Sequence, residues 1–164
     1  MRKQKGFSLI ELLIVVAIIL IIAAIAIPNL MRARMSANEA SAVGSTRSIN
    51  TAEISYNAAY SNIGFTTVLA QLGGLAGAAC VPGTATGCFI DGSLSSGTKS
   101  GYTFTMALGA AGAGTPLNDY SVSASPTVPN QTGTRYFCSF EDAVVRSSTT
   151  AITPPCAATV VALQ

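Results

Sequence analysis

Residues Phe7–Ile27 form an almost unbroken apolar run whose only charged side chain is Glu11. As a helix, a run of this length rises about 31 Å at 1.5 Å per residue, enough to cross the hydrocarbon core of a bilayer. Neither Gly nor Pro interrupts it before Pro28. A charged side chain at mid-membrane costs about 2.5–3.5 kcal/mol on insertion scales, so Glu11 requires a partner or a purpose. Arg2, Lys3 and Lys5 precede the run. Basic residues there keep that end cytoplasmic and send the remainder outward.

The rest of the chain narrows the function classes. Of the 164 residues 49% are hydrophobic and only 10% charged, well below the charge of an average soluble domain. The formal charge of +2 comes from the first residues; from Phe7 onward six basic side chains face seven acids. That balance gives no electrostatic footprint for nucleic acid. Histidine is absent, which removes the commonest general base and metal ligand. Cys80, Cys88, Cys138 and Cys156 share no C-x-x-C spacing, so zinc is a poor reading. An even number of cysteines on the exported side of a membrane segment points instead to two disulfides. No nucleophile motif accompanies the few acids, so no catalytic residue, metal site or cofactor is expected.

A secretory signal cut after Ala24-Ile25-Ala26 would fit the small-residue rule, but the run is too long and Glu11 has no place in it. A plain membrane anchor leaves Glu11 equally unexplained. The stretch Gly6-Phe7-Ser8-Leu9-Ile10-Glu11-Leu12-Leu13-Ile14-Val15-Val16, behind a short basic leader, resembles the N-terminus of type IV prepilins, a family that includes the type II secretion pseudopilins. The resemblance implies cleavage between Gly6 and Phe7 by a membrane prepilin peptidase, followed by N-methylation of the new Phe7 amine. Glycine at the cut lets a protease approach the backbone closely. Cleavage would create a cation one helical turn from Glu11. Glu11 of one subunit could then meet the Phe7 amine of another, and a subunit at the wrong depth would leave both charges unpaired.

The implied protein is a pilin: a structural subunit stored in the bacterial inner membrane among lipids. It is extracted by an inner-membrane pilus assembly machinery and polymerised with itself into an extracellular helical filament. A minor pilin or type II pseudopilin is the alternative. The implied fold is α+β, with a long N-terminal hydrophobic helix packed on a small antiparallel sheet and a disulfide-bounded C-terminal region. The expected divisions are a leader over 1–6, a transmembrane and assembly helix over 7–28, its amphipathic half over 29–60, and a head over 61–164.

Pro28 cannot donate to the carbonyl of Ala24, so a kink is expected there. Beyond it Ala42, Val43, Thr46, Ile49, Ala52, Tyr56 and Tyr60 recur at three- and four-residue steps, one face of a helix. Glu39, Arg47 and Glu53 fall between them and read as the polar face. From Gly64 to Gly114 the composition is that of loops, with Cys80 and Cys88 pinning at least one. Alternation over Tyr102–Leu108 and Tyr120–Ala124 predicts half-buried strands. Arg135–Phe140 reads as another, with Val144–Arg146 as its hairpin partner across Glu141-Asp142, for three or four strands in all. Those two acids read as a solvated turn, with a calcium site weighed and disfavoured for want of further aspartates. Four cysteines allow three connectivities, and short loops favour sequential pairing. In many pilins a disulfide ties the C-terminal region to the sheet, which implies Cys138–Cys156 and leaves Cys80 with Cys88.

Overall fold

The computed structural model describes residues 7–74, 79–109, 114, 116–156 and 160–163. The chain divides into two units, Met1–Arg34 and Met35–Gln164. The first α-helix, α1, spans Leu9–Ala59 and contains Pro28. Its part in the N-terminal unit is apolar on every side, and each large apolar side chain from Phe7 to Met31 is exposed.

In the second unit α1 becomes one-sided. Ala42, Ile49, Ala52 and Tyr56 are buried against Tyr102, Phe104, Tyr120, Val122, Ala124 and Phe137 of a sheet. This is the small-and-apolar face marked by the sequence periodicity. The sheet is an antiparallel meander whose strands follow chain order: β1 Thr98–Lys99, β2 Tyr102–Leu108, β3 Tyr120–Pro126, β4 Tyr136–Phe140, β5 Arg146–Ser148 and β6 Val161–Ala162. It has six strands rather than three or four, because two-residue strands at either edge extend the central ones. Such strands are too short to leave a periodic signal. The hairpin partner of β4 begins at Arg146, where the expectation had placed its end.

Register decides which side chains meet the helix. Val122 lies opposite Ser139, and Ala124 opposite Phe137, all on the α1 side. Successive side chains alternate faces, which sends Ser123 and its partner Cys138 to the other side. That side is also covered: Ser121 and Ser123 are buried, and Cys138 has no exposed surface. β3 is therefore buried on both faces, where alternation alone implied one.

Between Gly64 and β1 the described residues are mostly loop, interrupted by two single-turn helices, α2 Leu69–Leu72 and α3 Gly92–Ser95. Asp91 caps α3 by accepting the Leu94 N–H at 2.9 Å. Two disulfides join Cys80 to Cys88 and Cys138 to Cys156, with Cα–Cα distances of 5.9 and 5.8 Å.

Candidate assembly site at the N-terminal helix

Phe7 and Ser8 lie just ahead of α1, and Leu9 is its first residue. Glu11 is therefore the third residue of the helix. The first turn of any helix leaves backbone N–H groups without internal partners and carries partial positive charge. Glu11 answers both needs, because its Oε2 accepts the Ser8 N–H at 3.1 Å. The Leu12 N–H donates to the Ser8 carbonyl at 3.2 Å, closing the first turn. Ser8-Leu9-Ile10-Glu11 thus supplies the carboxylate half of a capping box. The S-x-x-E spacing ahead of an apolar run was the available signal.

Around this turn the surface is wholly apolar. Phe7 is 75% exposed and Leu9 77%. Full burial of a Leu, Ile or Val side chain is worth about 1.5–3 kcal/mol, so the exposed run Phe7–Met31 is a large apolar surface left open to water. By length and composition this part of α1 can cross a membrane. Arg32 and Arg34 follow it directly and are exposed, and no ion pair among the described residues engages them. Helical structure continues through Pro28. Gly6, the residue before the expected cut, lies outside the described residues.

Residues 1–27 match the family model described as the prokaryotic N-terminal methylation motif. Over 39 residues the chain is 67% identical to the type IV wide pilus major component PilA4 of Thermus thermophilus, covering 24% of this chain and 30% of that protein. Over 54 residues it is 44% identical to the type IV major pilin protein PilA of Myxococcus xanthus, covering 33% of this chain and 24% of that one. The N-terminal stretch of the chain is similar to that of type IV pilins. The matched part spans about a third or less of these relatives, and no solved structure matches the chain.

In the head, the polar anchors lie where the sequence suggested solvent. Glu39 is buried, not exposed, and its carboxylate receives four donors from the segment that leads into β4. The Thr134 N–H and hydroxyl and the Arg135 N–H reach Oε1 at 2.9, 2.9 and 3.2 Å, and the Arg135 Nε–H reaches Oε2 at 2.8 Å. Burial alone would raise the Glu39 pKa. The Thr134 backbone N–H, the Arg135 guanidinium and the Thr134 hydroxyl more than offset that and hold it below the usual carboxylate value. Gly133 makes the approach possible, since a Cβ there would run into the Tyr102 phenol, whose hydroxyl donates to the Arg135 carbonyl at 2.8 Å.

Glu53 is also buried, while Arg47 is exposed as the polar-face reading had it. Asn50 joins the helix to the sheet in a separate network: its amide donates to the Ser139 hydroxyl at 2.9 Å and accepts from the Tyr120 hydroxyl at 3.1 Å. Of the two acids weighed for calcium, Asp142 is committed to Arg146 at 2.6 Å and caps the turn through the Val144 N–H. Among the described residues no three potential ligand side chains gather into a metal site.

Proposed function

We propose that this chain is a type IV pilin, the structural subunit of a type IV pilus, polymerising through α1 after cleavage between Gly6 and Phe7 and methylation of the Phe7 amine. The observation that carries the reading is the exposed apolar surface from Phe7 to Met31, which bears a single carboxylate in its first turn. Lipid covers that surface in the stored precursor, and neighbouring α1 helices cover it in the filament. Glu11 meets the Phe7 amine of an adjacent subunit there and sets its depth, because a misplaced charge in an apolar core costs several kcal/mol. Pro28 provides a point at which the helix can bend on assembly. The partners are a prepilin peptidase, an inner-membrane assembly machinery and further copies of the chain. The subunit passes from the membrane to the cell surface. The leader, assembly helix, amphipathic half and head follow the boundaries 1–6, 7–28, 29–60 and 61–164. Both named relatives are major components, which favours a structural pilin over a minor pilin or a secretion pseudopilin.

The intact mass of protein extracted from the cell envelope tests processing. The expected species lacks Met1–Gly6 and carries one added methyl, whereas an N-terminus at Ile27 identifies a signal peptide instead. Glu11→Val tests assembly: filaments should be lost while processed subunit accumulates in the membrane. Normal filaments from that variant would overturn the reading.

A further inference from the structure

Glu53 has no exposed surface, and its two oxygens are in unequal positions. Oε2 accepts the Thr66 N–H at 3.0 Å, while Oε1 is enclosed with no hydrogen-bond partner among the described residues. The segment Gly64–Leu72 closes over it as a strap tied at both ends. At one end the Phe65 N–H donates to the Leu117 carbonyl at 2.9 Å. At the other, the Gln71 and Leu72 carbonyls accept from the Gly87 and Phe89 N–H groups at 2.6 and 2.7 Å. In the middle the Thr66 hydroxyl binds the Gln71 side-chain carbonyl and accepts the Val68 N–H at 3.1 Å.

A single chain of contacts therefore runs from Glu53 through Thr66 and Gln71 to Gly87, inside the Cys80–Cys88 loop. Tyr56, one helical turn beyond Glu53, reaches the same loop by donating its hydroxyl to the Thr84 carbonyl at 2.6 Å. The ionisable groups facing Glu53 are the phenols of Tyr56 on α1 and Tyr120 on β3; the strap offers it only a backbone N–H. No cation among the described residues stands against it. Burial pushes the Glu53 carboxyl up to about 8, and the Thr66 N–H offsets only part of that rise.

We propose that Glu53 is a proton-operated latch: protonated, it keeps the Gly64–Leu72 strap and the Cys80–Cys88 loop docked on the head, and loss of its proton to solvent releases them locally. In the opened state water solvates the carboxylate, which regains its ordinary acidity. One proton is then linked to opening between the ordinary value of 4.5 and the closed-state value of about 8. Over that window each unit of rising pH favours opening about tenfold, and the effect levels off above it. The latch does not depend on polymerisation.

Amide hydrogen exchange on the full chain in detergent micelles tests this, with rates corrected for the intrinsic pH dependence of exchange. Protection at Phe65, Thr66 and Gly87 should fall roughly tenfold per unit from about pH 5 to about pH 8. At every pH these amides should stay at least about tenfold less protected than those of Val122 and Phe137, the mark of a local opening. Glu53→Gln should flatten the pH dependence of the strap. Equal protection in strap and sheet would overturn the proposal, as would the same pH dependence in Glu53→Gln. The carbon-13 carboxyl signal of Glu53 in the unmodified chain gives a check that needs no variant: a midpoint in the ordinary carboxylate range would also overturn it.

Discussion

The two units of this chain treat the same side chain in opposite ways. α1 carries glutamates at positions 11, 39 and 53. In the N-terminal unit the apolar residues face outward, and among the described residues Glu11 finds only the N–H of its own first turn. In the head the apolar residues face inward, and the two glutamates go in with them. Glu39 stays charged there because Arg135 and three further donors surround it. Glu53 has a single donor and is held neutral by burial. The difference separates a surface left open in the single chain from one that is complete by itself. An incomplete surface tolerates a charge only if its coverer brings the partner, whereas a complete one must supply the partner or withhold the charge.

The largest effect should come from the incomplete side and should leave the other untouched. Glu11→Val, expected to abolish filaments, removes one hydrogen bond to the helix start and nothing in the head. Thermal unfolding of the head should therefore shift by no more than about 0.5 kcal/mol, the usual range for an exposed substitution. A clear loss of head stability would erase the contrast between the units. Next in size is the bridge behind the sheet. The double variant Cys138→Ser, Cys156→Ser opens an 18-residue separation, for which the chain-entropy relation gives roughly 3 kcal/mol. Denaturant unfolding should show that loss, with the Cys80–Cys88 pair still intact by mass.

Much of this was legible, and for physical reasons. The span Phe7–Ile27, its lone acid and the helical face from Ala42 to Tyr56 depend on local periodicity, which the sequence displays directly. β2 and the core of β3 were visible for the same reason. The burial of Glu39 and Glu53 was not. Ile49, Ala52, Glu53 and Tyr56 lie on one face of α1 by simple spacing, and only the charge argued for assigning Glu53 to solvent. What overrides the charge is tertiary: the Thr134–Arg135 donors come from about 95 residues away in sequence. Ser121 and Ser123 read as outward because serine is polar. Both are buried instead: Ser123 pairs across the strands with the disulfide-bonded Cys138, and its hydroxyl lies 2.7 Å from that of Thr105.

Glu39 offers a sharper test of how the head holds its acids. Glu39→Ala removes a carboxylate with four donors and strands the Thr134 and Arg135 N–H groups. The Arg135 side chain is 44% exposed and can turn to water, which limits the cost. Net contributions of hydrogen bonds to a charged group suggest a loss of about 2 kcal/mol, read from denaturant unfolding. The pH profile should carry the sign. Glu39 has a native pKa below its ordinary 4.5, so its stabilisation is present above that value and fades as pH falls through the native one. Glu53 works the other way, since the native state holds its proton more tightly than the unfolded chain, and stability declines as pH rises from 4.5 towards about 8. Together they place the optimum near the ordinary carboxylate value. Glu39→Ala should weaken the acid limb, to which Asp91 and Asp142 also contribute, and leave the alkaline limb in place; loss of the alkaline limb in that variant would mean that Glu39 and Glu53 are coupled.

The smallest effect belongs to the ion pair at the edge of the sheet. Lys99 of β1 meets Asp91 at 2.8 Å, with the two side chains 35% and 52% exposed. The geometry is good, and the Lys99 ammonium, followed by the Ser93 hydroxyl and the Leu94 N–H, holds the Asp91 carboxyl well below the usual range. Exposure nevertheless leaves little net gain, because water screens the pair and both side chains give up freedom to form it. Lys99→Ala should cost less than about 1 kcal/mol, and about 1 M salt should remove most of the difference from the unmodified chain. Asp91→Ala should cost more, since it also deletes the cap of α3 that accepts the Leu94 N–H. If the two variants proved equal, the cap would contribute nothing, and the head's edge would be held by charge alone.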